Sequence, residues 1–392
     1  MSTNTTLAGI RSTGNTPSTL QKRSVDERIA ELEPSKTPFQ KLQLALGQKR
    51  RVTNPKFEML EQRRPARVDV STTTMNGTTT STTVTLTNVG FFKVGDLIRE
   101  LTGGEVAVIT SINSSVATVT RALGGDVSTW NAGVSIMIVG TAFPEGSNNP
   151  DVLARELEVP YNYVQIARRN FYLTKTQQNT NLYGEQDAIL RNRENVLEHA
   201  IDIEMSLLFG KRDILSGTTS APRRTTGGLL WYLDQASSGA AVTASIATLN
   251  YSDVDAWARE LFKYDDSDKV VFVGNLALSA FNMMAKGGAQ MTLSAQSKEF
   301  GVRIFRYVTA HGVLGLVPHR LMNQAPYNGY AIAITPANVK LTHLRPEMTE
   351  ILNDVQTPGQ DAKESGLLSE YGLQLVLPET HGYLAGITAG AE

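Results

Sequence analysis

Residues 184–210, GEQDAILRNRENVLEHAIDIEMSLLFG, carry the longest uninterrupted helical pattern in the sequence. At 100° per residue the apolar side chains fall on one arc and the polar side chains on the opposite face. Gly210 stands where a left-handed residue would end such a helix. The two edges of the apolar arc are Ile189, Val196, Ala200, Ile203, Leu207 and Leu190, Leu197, Ile201, Leu208; the polar face is Arg191, Asn195, Glu198, Asp202, Ser206.

Two charged residues of this helix, Arg193 and Glu204, interrupt the apolar arc. An unpaired charge is costly to bury, so each is expected to have a partner from another segment or another subunit. His199 lies on the polar flank, where we expect it to be solvated. The helix supplies no catalytic group, and its pattern is that of an architectural element.

Composition describes an ordinary soluble protein that is long enough for two or three domains. The 392 residues include 37 Lys and Arg against 38 Asp and Glu, so net charge does not favour nucleic acid or membrane. There are no cysteines, which excludes disulfides and thiolate metal sites. No apolar run is long enough for a membrane span, and the first residues do not resemble a secretory signal.

The N-terminal part is predicted to be a flexible arm followed by two short helices. Residues 1–23 are rich in Ser, Thr, Asn and Gly, and they could be plainly disordered or ordered by neighbouring copies. A capping pattern at Ser24 opens the first helix. The second begins after Thr37 and ends at Gly47.

Residues 68–143 differ from their surroundings, because Thr and Ser alternate there with Val, Leu and Ile. Short strands are predicted at 83–87, 106–109, 116–119 and 134–139, separated by glycine turns, and five or six of them would form a small barrel or sandwich. The Thr-rich start could be a linker, and we favour strand from Thr82 onward. The basic run at 48–67 is typical of a solvated or ion-paired surface, since it carries few aromatic residues.

The segment after the β-rich part reads as a long extended ribbon, LEVPYNYVQIARRNFYLTKTQQ, in which Tyr161 and Tyr163 alternate with polar neighbours. With the extended run before the β-rich part, it predicts two antiparallel arms. Residues 251–335 then alternate between helix and strand, with a helix capped by Ser252 and strands at 270–273, 303–308, 314–318 and 330–334. Strand pattern returns at 339–344 and 371–377.

Motifs of catalysis and of cofactor binding are absent from the sequence. There is no nucleophile elbow, no phosphate-binding loop and no His-Glu-x-x-His pair. The five histidines never fall three or four residues apart, so no local metal site is indicated. We therefore expect no cofactor and no enzymatic function.

The order of these parts resembles the major capsid proteins of tailed bacteriophages, which have the Hong Kong 97-type fold. Three stretches carry the resemblance within residues 34–388: TPFQKLQLALGQKRRVTNPKFEMLEQ, GTTSAPRRTTGGLLWYL and SEYGLQLVLPETHGYL. The resemblance implies an α+β fold: a peripheral domain with a long spine helix and a β-sheet, an axial α/β domain, an extended β-ribbon loop and an N-terminal arm, to which this chain adds a small all-β inserted domain. Lysine–asparagine crosslinks occur in some such shells, but no matching residues are identified here.

The resemblance also implies a division of the chain. The predicted segments are the N-terminal arm at 1–33, the start of the peripheral domain at 34–54, extended-loop ribbons at 55–66 and 144–182, the inserted β-domain at 67–143, the peripheral domain with its spine at 183–250, the axial domain at 251–335 and a return to the peripheral domain at 336–392.

The implied function is that of a structural protein that self-assembles into hexamers and pentamers of an icosahedral or prolate head. The implied partners are other copies of the chain, a portal, a scaffolding protein and packaged double-stranded DNA bound without sequence specificity, and no membrane. The location would be the virion, after assembly in the host bacterial cytoplasm. The alternative is a virion surface-interaction protein whose Thr-rich β-domain binds a glycan or cell receptor.

Overall fold

A computed structural model describes residues 37–63, 67–148, 157–180, 187–215, 221–235, 239–287, 294–299 and 302–390. The chain forms two compact units. The first joins the residues up to Met59 to those from Pro160 onward, and the second is Leu60–Val159. The predicted arm and the helix predicted at Ser24 lie outside the described residues.

The described part of the chain contains six α-helices, several short 3-10 helices and twenty-four strands. The helices are α1 (Pro38–Ala45), α2 (Lys175–Gln178), α3 (Asp187–Phe209), α4 (Leu229–Leu233), α5 (Tyr251–Leu261) and α6 (Asn275–Gly287). The strands of the first unit are β1 (Lys49–Arg51), β2 (Lys56–Glu58), β9 (Tyr161–Tyr163), β10 (Gln165–Thr174), β11 (Asp213–Leu215), β12 (Arg223–Thr225), β13 (Ala241–Thr243), β14 (Thr248–Leu249), β15 (Lys269–Val273), β16 (Ser294–Glu299), β17 (Val302–Val308), β18 (Val313–Pro318), β19 (Ala331–Ile334), β20 (Val339–His343), β21 (Thr349–Leu352), β22 (Ala362–Leu375), β23 (Gly382–Leu384) and β24 (Ala389–Gly390). Those of the second unit are β3 (Val68–Val70), β4 (Thr83–Thr85), β5 (Asp96–Glu100), β6 (Val106–Asn113), β7 (Val116–Thr120) and β8 (Ser135–Thr141).

Gly210 follows the end of α3 for a reason other than the predicted left-handed conformation, because its φ angle is not positive. A Cβ atom at Gly210 would lie 2.4 Å from the carbonyl oxygen of Ser206 and 2.8 Å from that of Thr226. The carbonyl oxygen of Gly210 also accepts a 2.8 Å hydrogen bond from the N–H of Gly228. Glycine is needed here because two backbone segments approach closely.

Packing of α3 follows the predicted periodicity in only one half of the helix. In the C-terminal half Ile203, Leu207 and Leu208 are buried in the core of the first unit. In the N-terminal half the prediction was wrong, since Ile189 and Val196 are 53% and 45% exposed. The described residues therefore cover only part of the apolar arc.

His199 shows that the polar side of α3 is buried as well. It was predicted to be solvated, yet it is 3% exposed and its Nε2 lies 2.7 Å from Ser369 Oγ of β22. Ser206 likewise makes a 2.6 Å hydrogen bond with the Tyr371 hydroxyl. Because β22 presents polar groups, it covers the polar side of α3. Burial lowers the pKa of His199.

A five-stranded sheet lies against α3 in the order β1-β20-β22-β10, with β21 also paired to β22. β1 is parallel to β20, and the other pairs are antiparallel. β10 pairs with β22 over its full length, from Gln165 opposite Tyr371 to Thr174 opposite Ala362. The prediction of a ribbon through residues 165–174 was therefore wrong, because these residues form a sheet strand.

A shorter antiparallel ribbon does occur where the chain leaves and re-enters the first unit. β2 pairs with β9, and the N–H of Met59 donates a 2.9 Å hydrogen bond to the carbonyl oxygen of Pro160. Its alternation is opposite to the prediction, since Asn162 is fully buried while Tyr161 and Tyr163 are half-buried.

A seven-stranded sheet, β13-β23-β19-β15-β18-β17-β16, separates two hydrophobic cores of the first unit. Along β15, Phe272 joins the core that contains α3, whereas Val271 and Val273 join the core that contains α5 and α6. Burial on both faces explains why these strands read as continuous apolar runs. The strands predicted between 251 and 335 are present, but the sheet also takes in β13 and β23 from outside that segment.

The N-terminus of α5 corrects a smaller prediction. The helix begins after Asn250, not after Ser252. The Asp253 carboxylate accepts a 3.1 Å hydrogen bond from the N–H of Asn250, an arrangement that stabilises the first turn.

The second unit is a six-stranded sheet in the order β3-β8-β5-β6-β7-β4. Its edges meet, because the N–H of Thr87 bonds to the carbonyl oxygen of Val70 and the N–H of Thr72 to that of Thr85. The sheet therefore closes as a small barrel around a core that includes Trp130. The Thr-rich start contributes β3, so the expectation of strand only from Thr82 was wrong.

A buried ion pair stabilises this barrel. The side chains of Glu105 and Arg121 are both buried. Arg121 Nη2 donates to Glu105 Oε2 at 2.6 Å, and Arg121 Nε donates to Glu105 Oε1 at 2.9 Å. The carboxylate also accepts hydrogen bonds from Trp130 Nε1 and from the N–H of Ser128. Burial alone would raise the pKa of Glu105, but these donors lower it to about 2. The group thus stabilises the fold as a charged acceptor.

Replacing Glu105 by Gln is expected to destabilise the second unit by about 3 kcal/mol, because Arg121 keeps a buried charge without a counter-ion. Hydrogen exchange of β3 to β8 in the full chain measures the change. Glu145→Gln, at an exposed position, is the matched control and should leave exchange unaltered. Equal protection in the two variants would contradict the role given to this pair.

Candidate assembly surfaces

No chemical centre stands out in the described part of the chain. No group of three or more His, Cys, Asp or Glu among these residues could hold a metal ion. Among the same residues, no helix has the length and apolar character needed to cross a membrane. The features that remain are buried polar anchors and exposed apolar surfaces, and both bear on how copies could associate.

Glu204 is the most deeply buried acid of α3, with no solvent exposure. Its carboxylate accepts hydrogen bonds from the backbone N–H of Phe39 at 2.8 Å and of Gln40 at 3.0 Å, both in the first turn of α1. His319, which follows β18, places Nε2 3.0 Å from the same carboxylate. The negative charge thus meets the N-terminal end of α1, where free N–H groups favour an anion. One side chain joins three separate segments.

Arg193, the other charge predicted to interrupt the arc, lies at the exposed surface of α3. Arg193 interacts with another group, and its expected contact with another segment or subunit stays a prediction. Because its side chain is exposed, its desolvation cost within a single copy is small.

Asn162 anchors the base of the ribbon, a role that the sequence did not reveal. Its Nδ2 donates to the carbonyl oxygens of Leu373 at 2.7 Å and Gly227 at 3.1 Å, and to Thr226 Oγ1 at 3.2 Å. Its Oδ1 accepts from the N–H of Gly227 at 2.9 Å. A satisfied buried amide of this kind specifies one arrangement of the strands around it. A lone Asn in an alternating strand carries no sequence signal for this.

Arg212 reinforces the same base from the segment after α3. Its guanidinium lies 3.9 Å from the centroid of the Tyr161 ring and 4.4 Å from that of the Trp231 ring. It also donates a 2.6 Å hydrogen bond to the carbonyl oxygen of Tyr161. Stacking between two rings suits the planar guanidinium, so Arg212 links the ribbon to α3 and α4.

A second buried cluster lies beside the seven-stranded sheet. Lys269, fully buried, places Nζ 2.8 Å from Asp265 Oδ2 and 2.8 Å from Thr335 Oγ1. The N–H of Thr335 donates to His381 Nδ1 at 3.0 Å. Burial, together with the nearby Lys269 charge, lowers the pKa of His381 to about 3. The imidazole is therefore held neutral at physiological pH, and its Nδ1 acts as a hydrogen-bond acceptor.

Large apolar side chains remain exposed on the elements that the anchors position. Ile189 and Val196 lie on α3, Ile166 and Tyr172 are 54% and 51% exposed on β10, and Ile351 is 66% exposed on β21. β10 also ends its sheet, since it pairs only with β22 among the described strands. An edge strand with exposed apolar residues is a surface suited to a second chain.

The family of the chain follows from its sequence match. The family model described as SU10 major capsid protein matches residues 6–388. The chain belongs to this family. Among curated relatives, the major capsid protein of Pseudomonas phage PaMx41 is 22% identical over 337 residues, which is 80% of this chain and 80% of that protein.

Two solved structures are among those to which the chain is similar. The capsid of a native GTA particle is 9% identical, with a TM-score of 0.48 over 95% of this chain and 97% of that chain. A chain of Mycobacterium phage Bobi is 8% identical, with a TM-score of 0.48 over 95% and 98%.

Family membership confirms the resemblance to phage major capsid proteins. The chain is a structural protein of the virion, and the family forms the capsid shell. The α+β class is also as predicted. The alternative of a surface-interaction protein that binds a glycan or receptor finds no support in these relatives.

Replacing Glu204 by Leu is expected to lower the free energy of unfolding by about 3 kcal/mol, because two N–H groups of α1 and the His319 ring lose their buried acceptor. Urea unfolding measures the loss, and hydrogen exchange should show it first in α1. Glu194→Leu, a partly exposed position on the same helix, should change stability by less than about 0.5 kcal/mol. A similar cost at both positions would contradict the anchor.

His381 is expected to make the fold sensitive to acid. The unfolded imidazole binds a proton near its ordinary pKa of 6.5, whereas the folded one resists protonation until about pH 3. The stabilisation is therefore complete above pH 6.5 and declines as the pH falls from 6.5 towards 3. His381→Gln should reduce the loss of stability between pH 7 and pH 5, measured by urea unfolding. The surface variant His311→Gln should keep the wild-type loss; the same reduction in both would refute the assignment.

Proposed function

We propose that this major capsid protein assembles as hexamers and pentamers into an icosahedral or prolate head that encloses the genome. The observation that carries the proposal is the uncovered apolar arc of α3, with Ile189 and Val196 exposed, in a chain of a capsid family. A long helix with a half-covered apolar face gains stability when a second copy covers it.

The elements of the first unit correspond to the parts of such a subunit. In this proposal α3 is the spine of the peripheral domain, and the unit of α5, α6 and the seven-stranded sheet is the axial domain. The ribbon β2–β9 is the base of the extended loop, from which the chain enters the inserted β-barrel. The N-terminal arm precedes α1, whose attachment to Glu204 would set where the arm begins.

The two exposed surfaces, on α3 and at the β10 edge, differ in character, and this difference favours rings of subunits. The α3 surface is helical and apolar, whereas the β10 edge offers unpaired backbone groups. Contacts between unlike surfaces are heterologous, and heterologous contacts close into rings when the rotation permits. Five and six copies would use the same surfaces with small changes of angle at the ribbon base.

The proposal also assigns partners and a place of action. A portal and a scaffolding protein would meet the shell during its assembly in the host cytoplasm, and double-stranded DNA would be packaged against its inner face without sequence specificity. The chain would act by assembly alone, with no catalysed reaction.

Expression of the full chain followed by sedimentation and negative-stain microscopy tests the proposal. Shells or rings of five and six copies are expected. A protein that remains monomeric at high concentration, with and without co-expressed scaffolding protein, would refute it.

Val196→Asp should prevent assembly while leaving the subunit folded, because Val196 is exposed in the single chain and would be covered in the shell. Sedimentation reports assembly, and circular dichroism reports folding. Asn192→Asp adds the same charge one turn away without removing an apolar contact, and it should assemble. Normal shells from Val196→Asp would show that this face of α3 stays open to solvent.

A further inference from the structure

The basic cleft of the first unit, defined by residues 50–58 with Tyr163, Ile214 and Arg224, is a cavity of about 800 Å³. It lies between the turn that joins β1 to β2 and the β11–β12 hairpin. Its cations are Arg50, Arg51, Lys56 and Arg224, and Glu58 is its one acidic lining residue. An apolar wall of Tyr163 and Ile214 adds apolar surface, of which Ile214 is 44% exposed.

The charges of the cleft are not balanced within the described chain. Lys56 is paired with Glu58 at 2.7 Å, and Arg50 donates a 3.0 Å hydrogen bond to Gln374 Oε1. Arg51 and Arg224 have no acidic partner among the described residues. The whole protein has a net charge of −1, so this excess is local and must be matched by acidic excess elsewhere. An anionic group would therefore be drawn into the cleft.

The shape of the cleft favours carboxylates over nucleic acid. A duplex presents phosphates along an extended backbone, whereas the cations of the cleft are gathered at one place beside an apolar wall. Single strands are bound by aromatic side chains that stack on bases, but here Phe57 is buried at 4% exposure and Tyr163 packs edge-on against Tyr161. An apolar wall beside arginines suits a polypeptide that carries acidic and apolar residues together.

One exposed segment of the same chain has this composition. The acidic segment, residues 346–364, includes β21 and the loop to β22 and carries five carboxylates against one lysine. Glu347, Glu350, Asp354 and Asp361 are exposed, and Ile351 on β21 is 66% exposed. Its ion pairs to Arg345, Lys363 and Lys175 are all at the surface. Such pairs contribute little, so they can be exchanged for better ones.

We propose that the basic cleft of one copy binds the acidic segment of a second copy. The inference deepens the proposed function, on which it rests, by naming one of the contacts that join subunits. Arg51 and Arg224 would bind carboxylates of the segment, and Ile351 would lie against the apolar wall. Because cleft and segment are different surfaces, the contact is heterologous and can link many copies in series.

A charge exchange tests the pairing. Arg51→Glu with Arg224→Glu should lower the yield of shells by about tenfold or more, since like charges then meet. Glu347→Lys with Glu350→Lys should do the same. The chain that carries all four substitutions should recover shells, because the charges are complementary again. Circular dichroism checks that each variant is folded. If Arg51→Glu with Arg224→Glu unfolds the chain, Arg51→Gln with Arg224→Gln takes its place, and a smaller loss of shell yield is expected.

The controls separate this contact from the proposed function. Arg99→Glu with Arg259→Glu changes the net charge equally at two exposed arginines outside the cleft, and it should assemble. Failure of the wild-type chain to assemble would refute the proposed function. Normal shells from the arginine variant, or no recovery in the four-fold variant, would overturn the pairing alone. The pairing would also be overturned if the unassembled wild-type chain bound a DNA fragment tightly and in a salt-sensitive way, and if the variant without Arg51 and Arg224 did not.

Discussion

The buried carboxylate of Glu204 is the interaction on which the packing of the first unit depends. A charge without solvent contact is tolerated only when its acceptor capacity is used, and here α1 and His319 supply the donors. Because the carboxylate belongs to the long helix, the same bond fixes where the N-terminal segment joins the fold. The helix thus acts as a support through a polar anchor as well as through its apolar face.

A second consequence concerns the two sides of α3. The sheet of β10 and β22 covers the polar side of the helix, because hydroxyl groups of β22 bond to His199 and Ser206 and Arg169 of β10 pairs with acids of α3. Part of the apolar side is then left in water. In an isolated protein, these apolar side chains contribute no stabilisation by burial. In a shell protein, they leave an apolar surface for the next copy. In the proposed assembly, a second copy would cover these exposed residues.

The base of the β2–β9 ribbon is held firmly at the point where the chain passes to the second unit and returns. Asn162 and Arg212 bond the points where the chain leaves and re-enters the first unit to β22, α3 and α4. The barrel at Leu60–Val159 has its own core and its own buried ion pair, so its fold does not depend on those anchors.

The sequence by itself determined the long helix, the alternation of helix and strand after residue 251 and the β-rich character of residues 68–143, because periodicity and local composition are properties of neighbouring residues. The family followed from the resemblance of longer stretches to known capsid proteins. It also placed Glu204 as an intruding charge. Only the tertiary structure decided which side of α3 is buried, since that depends on the polarity of strands more than 150 residues away. The roles of Asn162, His319 and His381 were likewise invisible, because hydrogen bonds between distant segments leave no periodic pattern. Residues 165–174 read as a ribbon for the same reason: extension is a local property, whereas the choice of a pairing partner is not.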